Sequence, residues 1–191
     1  MSPFSPFPTW LRLINAKFYE SSQDSILLRR AVKNEIGDLP GSLLEIGCGF
    51  GFNAAFRDGD YLGIDPDSRV IEIARKRRPV KNFDIRDGAS IDLPDAGVDN
   101  VLLCLVIHEL EPQKREKVLR EAARVAKDRI FIFEHRQNLR GLTGWWVRFN
   151  ERRHYDEYLH FDLPAVMKSL GLAHEKHEDL GKIFQLDVFG N

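Results

Sequence analysis

Apolar positions recur along the chain with two periods, one near 3.6 and one near 2 or continuous, and the two alternate. Pro3, Pro6 and Pro8 keep the start irregular until Thr9, a helix cap. Trp10, Leu11, Leu13, Ile14 and Phe18 then predict a helix over roughly 9–20, and a second covers 22–36. "SLLEI" reads as a strand, followed by a short helix around 52–58 and a strand "YLGID" at 61–65. "SRVIEIARKR" is helical, with Val70, Ile71 and Ala74 on one face and Asp67 or Ser68 available as cap. "NFDI" is a short strand. "VDNVLLCLV" is a longer, almost wholly apolar one, as a central strand covered on both faces requires. Glu111-Pro112 opens a helix with the stripe Val118, Leu119, Ala122, Val125 and Ala126, and "RIFIFEH" is another buried strand. After a loop-and-helix region at 136–161, Asp162 caps "LPAVMKSL" and Gly171 ends it. The last strands, near 173–179 and 182–189, are too close in sequence for a helical crossover and predict an antiparallel hairpin.

This succession predicts an α/β fold: a Rossmann-like, doubly wound, mostly parallel seven-stranded sheet with an antiparallel last strand and helices on both faces. Ligands of such sheets sit beyond the carboxyl ends of the strands, at the switch point. The 191 residues suffice for one domain with a full core, and 43% hydrophobic with 30% charged residues is ordinary for a globular protein. A net charge of -1 supplies no general attraction to nucleic acid or anionic membrane. Cys48 and Cys104 are far apart and in apolar or glycine-rich settings, which argues against a disulfide framework and for a reducing cytoplasm. No apolar run reaches the length of a membrane span, and the start lacks the basic and apolar regions of a signal peptide. The helix over 9–20 reads as a lid or docking segment, with membrane-surface contact as the alternative.

Chemistry concentrates in "LLEIGCGFGFN", Leu43 to Asn53, where an acid inside an apolar strand precedes Gly47, Gly49 and Gly51. A dinucleotide fingerprint would carry a third glycine where Phe52 stands, and the Gly-Lys-Ser/Thr of a phosphate loop is missing. The pattern E-x-G-x-G-x-G resembles the first motif of the class I S-adenosylmethionine-dependent methyltransferases, and the resemblance covers roughly residues 40 to 135. It implies S-adenosyl-L-methionine as cofactor, with glycines bare because a side chain would collide with the ligand. It also implies a division into a helical lid (1–38), a cofactor-binding core (40–135), an acceptor-site insertion (136–161) and a last helix with the terminal strand pair (162–191). Residue by residue, Glu45 supports the loop backbone and the ligand's amino end, and Gly47, Cys48, Gly49 and Gly51 form the turn. Asp65, followed by Pro66, takes the ribose hydroxyls, although an acid there also suits NAD folds or a helix cap. Asp87 takes the adenine amino group, with Gly88 and Ala89 along the ring; the alternative is an acid in an Asp-Gly turn. Cys104 and Leu105 line the cofactor at the fourth-strand exit.

Methyl transfer from a sulfonium mainly needs alignment and exclusion of water, and a base only where the acceptor must lose a proton. His108, placed at the rim by the fourth strand, is the candidate catalytic base, with Glu109 to orient it; a capping or packing histidine is the alternative. Trp145, Trp146 and Tyr155 are candidates for an aromatic acceptor wall, and Arg148, Arg152 or Arg153 for meeting an acidic group; the alternative is a helix with its aromatics in the core. The histidines lack ligand spacing, and His174 and His177 fall on opposite faces of a strand, so no metal is expected. A small-molecule acceptor is the favoured partner. The Asn/Asp-Pro-Pro-aromatic motif of enzymes that act on adenine or glutamine amino groups is replaced by "CLVIHE". A nicotinamide oxidoreductase, a cofactor-binding module without catalysis, and a macromolecular acceptor are the competing readings.

Overall fold

The computed structural model describes residues 23–139, 141, 144, 145, 147, 148 and 154–190. The expected helix over 9–20, Trp146, Arg152 and Arg153 lie outside the described residues. Helix α1 (Gln23–Ile36) leads into β1 (Leu43–Ile46), a 3-10 turn (Asn53–Phe56), β2 (Tyr61–Asp65), α2 (Ser68–Arg77) and β3 (Asn82–Ile85). Then come β4 (Val98–Cys104), a second 3-10 turn (Ile107–Glu109), α3 (Pro112–Val125) and β5 (Ala126–His135). A single-turn helix α4 (Tyr155–Tyr158), α5 (Leu163–Ser169), β6 (Ala173–Leu180) and β7 (Phe184–Gly190) follow.

Element ends sit where side-chain chemistry puts them. The Asp67 carboxylate accepts from the Arg69 backbone N–H at 3.0 Å to cap α2, and Asp162 accepts from Ala165 at 3.0 Å to cap α5. Pro112 occupies the first turn of α3, and Gly171, at φ +90°, follows α5. The strands form one sheet in the order β3-β2-β1-β4-β5-β7-β6. β1 to β5 are parallel, and β7 runs antiparallel to both β5 and β6. The expected seven-stranded, mostly parallel sheet is therefore present, with β6 laid at the edge and β7 returning between it and β5.

Burial on both faces explains the apolar run Val101 to Leu103 of β4. Val101 and Leu103 face Val118, Leu119, Ala122 and Val125 of α3, while Leu102 joins Leu28, Val32 and Ile36 of α1 and Ile71 and Ala74 of α2. Helix α1, the described part of the expected lid, thus belongs to the core and packs on the first 3-10 turn and β6. The buried Arg57 fastens its end by donating to the carbonyls of Ile36 (3.2 Å), Leu39 and Gly41.

One strand departs from its expected geometry. Pairing steps from His174 with Phe189 to Lys176 with Val188, so β6 spends two residues against one of β7. This bulge adds the residue that returns His174 and His177, expected on opposite faces, to the same one, and both bond the Asp187 carboxylate. Among the described residues no helix is long and apolar enough to cross a membrane.

Candidate cofactor and acceptor site

The glycine turn leaves β1 and is tied to the end of β2: the N–H groups of Gly47 and Cys48 donate to the Ile64 carbonyl at 2.8 and 3.0 Å. Gly47, Gly49 and Gly51 all have left-handed φ, at +72°, +50° and +68°. Their surroundings differ. A Cβ on Gly47 would lie 2.6 Å from Val106 Cγ2, and one on Gly51 would lie 2.8 Å from Phe83 Cζ and 3.1 Å from Ala74 Cβ. A Cβ on Gly49 would meet nothing within 4 Å among the described residues. Two of the three glycines are therefore bare because of the protein's own packing, and Gly49 is the one with open space beside it among the described residues. Asp65, at the end of β2, holds this opening: its Oδ2 accepts from the Gly49 N–H at 3.1 Å and its Oδ1 from Asp67 at 2.9 Å. The half-buried Pro66 follows it.

Glu45 is 1% exposed beneath the turn. Its carboxylate bonds not the glycine backbone but two side chains, Asn53 Nδ2 at 2.8 Å and the Tyr61 hydroxyl. Burial raises its pKa from an ordinary 4.5 to about 7, the bonds from Tyr61 and Asn53 offset part of that rise, and the charge of Asp65 adds to it. Burial, followed by the charge of Glu45, also drives the thiols of Cys48 and Cys104 well up, so both are neutral. Asp87 is half exposed and already engaged: its Oδ1 accepts from the Ala89 N–H at 3.0 Å and its Oδ2 from Lys114 at 2.8 Å. Burial pushes its carboxyl up, but these two bonds outweigh it and leave the group below its usual range. Gly88 packs against the end of β1, where an added Cβ would lie 2.5 Å from Ile46 Cγ2.

At the exit of β4, Leu105 sits at φ +57°, a strained conformation for a branched side chain, held by its N–H bond to the Phe133 carbonyl at 2.8 Å. His108 follows in the second 3-10 turn. It lies not at an open rim but 2% exposed, with Nδ1 2.7 Å from Glu134 Oε2. Glu109, the expected orienting acid, is exposed, and Glu134 takes that role. Glu134 also accepts from the N–H groups of Ile107 at 2.6 Å and His135 at 3.2 Å. Burial alone would raise the Glu134 pKa, but the His108 charge and bond, with His135, bring it below the ordinary value. The rings of His135, Tyr155 and Tyr158 surround His108 with centroids 4.7, 6.1 and 6.2 Å away. Tyr155 is thus a core residue at 1% exposure, whereas Trp145 is 64% exposed. Arg148 is exposed and pairs with Asp156 at 3.6 Å.

Arg115 was not singled out in the sequence. It is 1% exposed and donates to the carbonyls of Ile107 and Leu110 at 3.0 Å and of His154 at 3.4 Å, with Phe161 stacked beneath its guanidinium at 4.8 Å. It pins the exit of β4 to the segment around α4. The signal was available: Arg115 falls on the apolar stripe of α3, three residues before Val118, and Glu134, like Glu45, is an acid inside an apolar strand.

The glycine turn opens between parallel neighbours β1 and β4, where the strand order reverses. Fold and turn together define a Rossmann-like protein with a nucleotide-type ligand at its switch point. Residues 44–132 match the family model described as a methyltransferase domain. Magnesium protoporphyrin IX methyltransferase of Synechocystis PCC 6803, solved with bound SAH, superposes with a TM-score of 0.72 at 13% identity, over 95% of this chain and 94% of that one. A possible histamine N-methyltransferase of Thermotoga maritima gives 0.71 at 20% identity, over 96% and 95%. A Pyrococcus horikoshii OT3 protein gives 0.71 at 18% identity, over 96% and 99%. No curated protein sequence matches the chain. A methyltransferase domain is thus matched over residues 44–132, and the chain shares the fold of S-adenosylmethionine-dependent methyltransferases of known structure.

Proposed function

We propose that this chain holds S-adenosyl-L-methionine at the Gly47–Gly51 turn and transfers its methyl group in line to a small-molecule acceptor. The observation that carries the reading is Gly49: a left-handed glycine with open space where its Cβ would be, beside the Asp65 carboxylate. When bound, the cofactor supplies a methyl group on a sulfonium, already activated for displacement. The chain's residues bind and orient. Asp65, with Pro66 after it, takes the ribose hydroxyls while steadying the turn. The Asp87–Gly88–Ala89 segment lies along the adenine. Glu45 and Cys48 support the turn from below, and Cys104 and Leu105 form the wall at the β4 exit. Burial and the bond to Glu134 suit His108 to positioning this exit rather than to taking the acceptor's proton. An acceptor that is nucleophilic without a strong base fits that arrangement. The structural relatives named for acting on magnesium protoporphyrin IX and, possibly, on histamine support the small-molecule class. The exposed Trp145 and Arg148 are the acceptor-side groups among the described residues.

Calorimetry tests the reading. S-adenosylmethionine or S-adenosylhomocysteine is expected to bind with no comparable affinity for NAD; tight NAD binding without any response to S-adenosylhomocysteine refutes it.

A further inference from the structure

At the β6 edge of the sheet, four strands away from β1 and its glycine turn, three side chains converge without a part in the reading above. His174 Nε2 lies 2.9 Å and His177 Nδ1 2.8 Å from the same oxygen, Oδ1 of Asp187. The two imidazoles are 33% and 49% exposed, and the carboxylate is 3% exposed beneath them. We propose that His174, His177 and Asp187 form a binding site for a borderline divalent metal ion of the Zn2+ type, clamping the edge strand β6 to β7.

The donor set is the first argument. Two imidazole nitrogens and one carboxylate oxygen suit Zn2+ and its first-row neighbours and do not suit Ca2+ or Mg2+. The three donor atoms lie within 4.8 Å of one another. Bonds of about 2.0–2.2 Å in a tetrahedron place donors roughly 3.3 Å apart, so each imidazole nitrogen has to draw back from Oδ1 by only about half an ångström.

The surrounding groups are the second argument. Asp187 Oδ2 accepts from Gln185 Nε2 at 2.9 Å, which fixes the carboxylate and leaves Oδ1 turned to the rings. His177 Nε2 lies 3.7 Å from Asp179 Oδ1, the partner for a ring N–H once Nδ1 gives its lone pair to an ion. The His174 ring is stacked on Phe189, with centroids 4.7 Å apart. The β-bulge between His174 and Lys176 is the third argument, since without it the two rings would stand on opposite faces.

The test is calorimetric titration of the chelator-treated, untagged full chain with ZnCl2, and with CoCl2 to read the ligand-field absorption. One Zn2+ per chain at micromolar Kd is expected. The His174→Ala/His177→Ala double variant is expected to weaken binding at least tenfold. Both side chains are exposed, so this variant keeps its fold, checked by its melting curve without metal. Asp187→Asn, nearly isosteric, is expected to weaken binding as well. Zn2+ is expected to raise the melting temperature of the parent and not of the double variant. Absence of Zn2+ binding in the parent overturns the proposal. So does undiminished binding in the double variant, which would move the ion to another cluster such as His108, Glu134 and His135.

Discussion

Replacing Glu45 with glutamine separates the protonation of one buried acid from everything else in the turn. The Glu45 carboxyl has a pKa near 7 in the folded chain and near 4.5 when unfolded. Between those values the folded state binds the proton more tightly, so this group's stabilisation is complete below pH 4.5 and is lost as pH rises through 7. The difference corresponds to roughly 3 kcal/mol, an upper figure because the denatured chain is not fully solvated. The introduced amide mimics the protonated acid: its carbonyl accepts from Asn53, and the Tyr61 hydroxyl turns to accept from its NH2 group. Melting curves of the ligand-free parent and of Glu45→Gln are therefore expected to diverge with pH. Near pH 4.5 they differ little; at pH 8 the variant melts higher, by about 6–12 °C if the whole energy is expressed. A difference that stays flat from pH 4.5 to 8 refutes the argument that Glu45 is buried without a compensating charge. The same acid gives a binding signature. If the ligand's ammonium comes to rest near it, the bound pKa falls and protons are released on binding near pH 6.5, which calorimetry in buffers of different ionisation enthalpy detects.

Gly49→Ala is expected to fold with a loss of about 1–2 kcal/mol from its left-handed φ and to bind S-adenosylhomocysteine at least tenfold more weakly. Gly47→Ala, which strikes Val106, is expected to melt lower than Gly49→Ala. Asp65→Ala is expected to weaken S-adenosylmethionine binding by about 1.5–3 kcal/mol, and unchanged affinity in calorimetry rules out the ribose role. Glu134 is held below its ordinary pKa, so its contribution is present above pH 4.5 and lost as pH falls through the folded value. The stability gap between the parent and Glu134→Gln should accordingly narrow in acid melts. Arg115→Met leaves the carbonyls of Ile107 and Leu110 without their donor and is expected to cost more than about 3 kcal/mol in denaturant unfolding.

What the sequence made readable was local or periodic. Asp67, Pro112, Asp162 and Gly171 mark helix ends through bonds reaching only a few residues, and the continuous apolar run of β4 announces a strand covered on both sides. The glycine turn is readable because three alternating glycines after a buried strand are a distinctive pattern, although packing accounts for two of them. What escaped depends on contacts between distant segments. Nothing near Gly47 or Gly51 foretells that Val106 and Phe83 will fill the space beside them. His108 reads as a rim residue until Glu134, 26 positions on, arrives from the neighbouring strand. The strand parity that separated His174 from His177 was sound for a regular strand, and a single inserted residue reversed it.

The edge formed by β6 has a bearing on the molecule's solubility. Seven of its eight residues are exposed, and Glu175, Lys176, Glu178 and Asp179 follow one another with little interruption. A second copy seeking to extend the sheet would have to desolvate these charges and meet a backbone whose hydrogen-bond spacing the bulge has broken. The apolar-rich strands at the centre of this sheet are the kind that assemble without limit when an edge is left open. Here β6 guards its own edge of the sheet against fibril-like growth, β3 forming the other edge.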